Sequence, residues 1–302
     1  MVPQAPHVAH ATLELLVEDW SVPILRALMV EPRRPTELEQ HLPDMPHSAL
    51  MRRLGQLHER GLASREHRAG LSPSTRYTLT TPGRMILDVM GAAERWERHW
   101  TEEKTDGLSG LSLIADERTR EILLSLAPQP QSPGELESHL PLSRSPLRKR
   151  LADLVRRCIL FRYENDGHVT YELTESARDL MLVSVAAARW QWECAKPDHP
   201  PLPRDIAHTL HMFAPRAQLP ADLAGVCRLH VEDGPVVLLA AEGRRVATLA
   251  ADPAHQPHAT CHATPQAWCD GLLLRQWSGI TSTGNRALMA AMLASVSTAL
   301  LA

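Results

Sequence analysis

The chain has 302 residues, 44% of them hydrophobic and 22% charged, which suits two or three packed domains. Its formal net charge of −3 excludes a uniformly basic nucleic-acid coat, and its five scattered cysteines, an odd number, argue against a disulfide framework and for a reducing compartment. No apolar run reaches the ~18 residues of a spanning helix, and the opening MVPQAPHVAH lacks the basic, apolar and small-residue succession of a secretion signal. A cytoplasmic protein without membrane contact is expected.

In chain order, Thr12–Trp20 and Val22–Met29 carry apolar residues at helical spacing, and Pro32 and Pro35 stop the second. Thr36 is placed to cap a short helix, with Glu39 at the capping-box position. Ser48 opens the next helix, whose Leu50, Leu54 and Leu57 make one stripe, and Gly61 ends it. Residues 62–66 and 74–80 read as two strands about the turn-prone stretch 69–73, and Pro82 begins a long helix to about Trp100.

Much of this grammar then returns. Glu37-Leu38-Glu39 and His41-Leu42-Pro43 are answered by Glu135-Leu136-Glu137 and His139-Leu140-Pro141. Arg53-Leu54 is answered by Arg150-Leu151, Tyr77 by Tyr171, Leu79-Thr80 by Leu173-Thr174, and Arg95-Trp96 by Arg189-Trp190. The offset slides from 98 to 97 to 94, with the gaps falling where turns lie. Thr101–Gly110 reads as a linker between the copies, and residues 196–203 as a stiff Pro-rich break. Beyond it, four short strands (226–231, 236–241, 245–250 and 259–263) and helices over 264–277 and 285–301 are predicted. The expected fold is α+β and mainly helical: two tandem winged helix-turn-helix domains over 11–104 and 105–196, then a small α+β domain over 204–302.

Charge is local where the total hides it. Residues 47–76 hold six Arg against two Glu, and residues 142–162 hold six Arg and one Lys against one Asp. Such patches matter more than the total, because phosphate attraction is screened beyond a Debye length of ~10 Å. A helix that reads duplex DNA buries one face and offers forked polar donors on the other. The candidates are His47, Ser48, Met51, Arg52 and Gln56 in the first copy, and Arg144, Ser145, Arg148 and Lys149 in the second. Arg65, His67, Arg68 and Arg76 on the first wing, and Arg162 and His168 on the second, are candidates for the DNA backbone or minor groove. A solvated basic face would account for either helix alone; two copies in one helix–helix–wing order favour DNA.

Trp96, Trp100, Trp190 and Trp192 sit at the ends of the two long helices, in a chain with only two Phe and three Tyr. Two readings stay open: core and pairing-interface packing, or a flat-walled pocket for a planar apolar effector. His258, Cys261, His262 and Cys269 lack metal-site spacing. No metal, no cofactor and no catalytic constellation are expected, so the chain is read as a non-enzyme.

Residues of about 13–100 resemble the HxlR-type winged-helix regulators, relatives of the MarR group. The match rests on Trp20, Ile24-Leu25-Arg26-Ala27-Leu28, Arg33-Arg34-Pro35-Thr36-Glu37-Leu38, Leu50-Met51-Arg52-Arg53-Leu54, Gly61-Leu62, Arg65, Tyr77-Thr78-Leu79-Thr80, Gly83 and Trp96. The second copy resembles the family more faintly, with Cys158 and Ala177 where glycines stood. The resemblance implies homodimers with one winged helix per half-site, so a tandem copy implies a pseudo-dimer within one chain, paired through the helices ending at Trp96 and Trp190. It implies for some members a sensory cysteine near the N-terminus; here the first cysteine is Cys158. The last domain resembles the sterol carrier protein type two fold by pattern, which implies an apolar tunnel lined by Trp268, Leu272, Leu288, Met289 and Met292.

The expectation is a DNA-binding transcriptional regulator, a ligand-responsive repressor whose partners are double-stranded DNA and an apolar or planar small molecule. The alternative is a small-molecule-sequestering resistance protein with residual DNA binding. Whether the chain also forms a homodimer stays open.

Overall fold

The computed structural model describes residues 9–68, 74–101, 108–195, 201–250 and 256–301. It divides into two compact units, one spanning His10–Ala115 and one running from Asp116 to the C-terminus. The expected wing turn 69–73 and most of both expected linkers (102–107 and 196–200) lie outside the described residues.

In the first unit, α1 (His10–Val17), α2 (Ser21–Val30), α3 (Pro35–His41) and α4 (His47–Glu59) precede a hairpin of β1 (Ala63–Arg68) and β2 (Ser74–Leu79). A long α5 (Thr81–Trp100) and α6 (Leu108–Ala115) complete it. Leu25, Leu38, Leu50, Leu54 and Leu57 are fully buried and form the centre of its core. A third strand-like contact closes the wing at its base, where Arg33 and Tyr77 exchange both backbone hydrogen bonds, 3.0 and 2.8 Å.

The start of α3 corrects the sequence reading. The helix begins at Pro35, with Arg34 as cap residue, and the Glu37 carboxylate accepts the Arg34 N–H at 2.7 Å. Pro35 lacks an N–H and has its φ fixed near the helical value, so it takes the first helical position and moves the cap two residues upstream of Thr36. Helix α6 begins inside the stretch read as linker; that apolar segment packs on the distant α1 as well as on the preceding α5.

The second unit opens with the same order of elements: α7 (Glu117–Ser125), α8 (Pro133–His139), α9 (Arg144–Arg156), the hairpin β3 (Leu160–Asn165) and β4 (His168–Leu173), then α10 (Glu175–Trp190). The hydrogen bonds match position by position. Ser132 N–H donates to Glu135 at 2.7 Å, and Gln131 and Tyr171 exchange backbone bonds of 3.0 and 2.8 Å. Thr174 accepts from Ala177 N–H at 3.1 Å and donates to Ile159 O, as Thr80 accepts from Gly83 N–H at 3.1 Å and donates to Leu62 O. Asp166 and Gly167 at the wing tip both have positive φ, 51° and 77°, which gives the tight two-residue turn its twist.

After a short π turn (Gln191–Ala195), α11 (Pro203–Phe213) and a 3-10 turn (Ala214–Arg216) lead to a five-stranded sheet in the order β7-β6-β5-β8-β9. Its strands are β5 (Gly225–Val231), β6 (Val236–Glu242), β7 (Arg245–Leu249), β8 (Ala259–Ala263) and β9 (Thr281–Gly284), with β5 and β8 parallel and the other pairs antiparallel. Helices α11, α12 (Pro265–Leu274) and α13 (Arg286–Leu301) pack on the sheet. Two elements are new relative to the sequence reading. α11 follows directly on the Pro-rich break, since Pro203 starts a helix as readily as it ends one. β9 is a four-residue edge strand of small polar residues, TSTG, that pairing with β8 alone makes extended.

This second helix–helix–wing is fused to the sheet domain. Arg216 bridges Asp179 and Glu175 at the start of α10, both at 2.6 Å, and Trp192 Nε1 donates to Asp270 of α12 at 2.8 Å. Helix α10 packs on α12 and α13, and α11 packs on α7. Among the described residues no helix is long and apolar enough to cross a membrane.

The two helix ends respond oppositely to glycine. A Cβ on Gly83 would stand 1.9 Å from the Leu62 carbonyl oxygen, so Gly83→Ala should destabilise the first unit by about 1–3 kcal/mol or more, read as a lower melting temperature. Cys158 holds the left-handed conformation (φ 57°) that Gly61 holds in the first unit (φ 71°). Cys158→Gly should therefore stabilise the second unit, by roughly 1 kcal/mol in a denaturant titration.

Candidate nucleic-acid interface

Helix α4 follows α3 through a short turn, the geometry of a helix-turn-helix. Its inward face is Leu50, Arg53, Leu54 and Leu57. Its outward face begins with His47, Ser48, Met51 and Arg52, all exposed, while Gln56 is half-buried and its Oε1, though buried, has no hydrogen-bond partner among the described residues. Helix α9 is built alike: Leu147, Leu151 and Leu154 are buried, and Arg144, Ser145, Arg148 and Lys149 are exposed.

Not every arginine in these basic stretches faces solvent. Arg53 is buried and pairs with Glu18; Arg150, its counterpart in α9, pairs with Asp116. These two arginines clamp each helix to the segment before the preceding helices. Sequence counting gave them no structural role, and the signal that could have found it was the matched spacing of Glu18 and Asp116, 98 apart, with Arg53 and Arg150, 97 apart. Further charge is cancelled by Arg60 with Glu18, Arg156 and Arg157 with Asp153, and Arg162 with Glu164 at 2.6 Å. The Glu164 hydrogen bond raises the Arg162 pKa above its ordinary value. His47 pairs with Glu39, and Arg76 reaches Glu37 at 3.9 Å. Within the two basic stretches, the described cations left outside these ion pairs are Arg52 and Arg65 in the first unit, and Arg144, Arg148 and Lys149 in the second.

On the wings, Arg65, His67 and Arg76 are exposed in the first unit, as are Arg162 and His168 in the second; the Arg68 side chain lies outside the described residues. The second wing carries a feature the sequence reading passed over. Phe161 and Tyr163, 52% and 45% exposed, stand two residues apart on β3 with ring centroids 6.1 Å apart. Strand alternation puts both on one face of the hairpin and Arg162 and Glu164 on the other.

The expected effector residues are placed less uniformly. Trp96, Trp190 and Trp192 are buried, whereas Trp100 is exposed and meets His99 edge-on at 4.7 Å. Trp268, Leu288, Met289 and Met292 belong to the core of the sheet domain, with Trp268 Nε1 donating to His230 O at 3.2 Å. Leu272 lines an apolar void of about 60 Å3, well below the ~300 Å3 of a small ligand site.

The HxlR-like helix-turn-helix family matches residues 15–105, which take in α2 to α5 and both wing strands. An uncharacterised helix-turn-helix-type transcriptional regulator of Synechocystis is 32% identical over 93 residues, 31% of this chain and 69% of that protein. The chain belongs to the HxlR-like helix-turn-helix family. Membership places it among DNA-binding transcriptional regulators. Two solved structures are also similar. A MarR-family transcriptional regulator from Enterococcus faecalis V583 is 26% identical, covering 32% of this chain and 86% of that one with a TM-score of 0.29. The transcriptional regulator YodB of B. subtilis in its reduced form is 24% identical, covering 34% and 96% with a TM-score of 0.30.

The two neighbouring arginines of α4 should separate cleanly. Arg53→Ala leaves Glu18 with only its longer Arg60 contact, beside a hole, and should cost about 1–3 kcal/mol of stability, discounted for the partly exposed carboxylate. Arg52→Ala, at an exposed site, should change stability by less than ~0.5 kcal/mol while weakening binding to duplex DNA. Paired thermal melts and fluorescence anisotropy check both.

Proposed function

We propose that this HxlR-like protein is a ligand-responsive repressor that contacts its operator through two helix-turn-helix elements of one polypeptide. The observation that carries the reading is the matched build of α4 and α9. Each holds one inward leucine stripe and an arginine paired with a carboxylate ahead of its bundle, and each points cations outside those ion pairs away from the core: Arg52 on α4, and Arg144, Arg148 and Lys149 on α9. Arg forks fit guanine O6 and N7, and Lys149 with the serines suits phosphate oxygens. A chain with two such elements supplies alone what a homodimer supplies from two copies. Its operator is then an imperfect palindrome, because the two outward faces differ: His47, Ser48, Met51 and Arg52 against Arg144, Ser145, Arg148 and Lys149.

The more basic α9 supplies the larger electrostatic share of binding. Replacing Arg148 and Lys149 together by Ala should weaken duplex binding and reduce the slope of log K against log salt by about 2 if both touch phosphates. Unchanged affinity and slope would remove α9 from the interface. Selection of bound genomic fragments by the full chain should yield two unlike half-sites, roughly 34 Å apart or a multiple of that. Recovery of sequence-blind fragments would instead favour a sequestering protein with residual DNA affinity.

A further inference from the structure

The second unit contains a cleft of about 390 Å3 between α7, α8 and α11, within the ~300–1,000 Å3 of small-ligand sites. Its apolar wall includes Leu124, Pro128 and Leu140. Its ionisable lining is uneven: the carboxylates of Glu117, Glu121, Glu135 and Asp205 stand against the guanidiniums of Arg120 and Arg204, with Asp205 3.9 Å from Arg204 and Glu121 paired with Arg118 at 2.9 Å. Arg120 is 1% exposed and already lies amid Glu117, Asp205, Glu121 and Asp116, so its charge is spoken for. Two imidazoles line the cleft as well. Burial, with His211 and Arg204 nearby, pushes His208 down to about 4, so it is neutral at physiological pH. His139 is engaged with the Glu135 carbonyl at 2.7 Å.

We propose that this cleft binds a small organic cation with an apolar body, such as an aryl- or alkylammonium, its charge facing Asp205 and the α7 carboxylates and its body on Leu124, Pro128 and Leu140. An anion meets a surplus of like charge there, because the one deeply buried cation is already surrounded by carboxylates. A metal ion is not favoured, since no group of three or more His, Cys, Asp or Glu side chains among the described residues is disposed to hold one. Asp205 also lines the small apolar void, where the buried Ser184 hydroxyl has no hydrogen-bond partner among the described residues.

The charged and titratable groups around Asp205 are Arg204 and His208 on its own helix, Arg120, Glu117 and Glu121 on α7, and Cys269 on α12. Burial, reinforced by Glu121 and Glu117, raises Asp205 to about 6 despite Arg204 and Arg120. A bound ammonium favours the carboxylate form, so binding should release a proton near that pH. Leu140 and Pro141 belong to the turn between α8 and α9. An occupant therefore touches the chain that aims the outward face of α9.

Isothermal titration of the full chain with phenethylammonium, against 3-phenylpropionate and 2-phenylethanol as anionic and neutral probes of similar size, tests the assignment. Saturable binding of phenethylammonium is expected, roughly tenfold or more tighter than either control. Its affinity should fall as the pH is lowered from about 8 to about 5, where Asp205 takes up its proton. Asp205→Asn and Glu121→Gln should each weaken it several-fold, and Gln129→Trp, a change at an exposed position on the mouth, should abolish it. The Gln129→Trp variant keeps the test valid should Asp205→Asn fail to fold, as judged by circular dichroism. Equal or tighter binding of phenylpropionate, no saturable binding of phenethylammonium, or unchanged affinity in folded Asp205→Asn and Gln129→Trp would overturn the assignment.

Discussion

Each outward basic face depends on an inward clamp. Leu50, Leu54 and Leu57 of α4, and Leu147, Leu151 and Leu154 of α9, fix the rotation of their helices by burial. Arg53 with Glu18, and Arg150 with Asp116, then tie each helix to the start of its own bundle. Burying a full-length arginine is costly unless its charge is paired, so the Arg53 clamp works only with its carboxylate in place, while the half-exposed Arg150 makes a weaker tie. A helix held on one side in this way presents its other side as a rigid, pre-paid arrangement of donors, and phosphate or base contacts then need little further ordering.

Strand pairing and capping add a second layer to that rigidity. Thr80 and Thr174 each accept a hydrogen bond from the helix that follows and donate back to the residue that opens the wing. One hydroxyl therefore sets both the start of the long helix and the departure angle of the hairpin. The Arg33–Tyr77 and Gln131–Tyr171 pairs hold the base of each wing to the segment before α3 and α8. Wing, cap and helix-turn-helix are not separable parts, because the same few backbone groups serve all three.

The second helix-turn-helix is embedded in its unit. Arg216 and Trp192 join α10 to the sheet domain through an ion-pair bridge and an indole hydrogen bond, and α11 closes the cleft against α7. That cleft exists only because α11, from beyond the Pro-rich break, returns to pack on α7. The cleft and the α9 face are thereby brought into one compact unit, with the α8–α9 turn shared between them.

The periodicity of leucines, the turn-forming glycines and the wing Tyr-x-Leu-Thr pattern were enough to place α4, α9 and both hairpins, since helix and strand spacing is imposed locally by backbone geometry. Residue types at the exposed ends of α4 and α9 were legible for the same reason. What the chain alone left undecided was partnership over distance. Arg53 and Arg52 are adjacent and identical in type, yet one is buried on Glu18 and the other faces solvent. The shift of the α3 cap to Arg34, the pairing of β9, the return of α11 and the cleft around Asp205 are likewise settled by contacts between segments far apart in sequence. Local spacing fixes which face of an element is apolar; only the packed structure decides which charges are neutralised, and so which remain to meet another molecule.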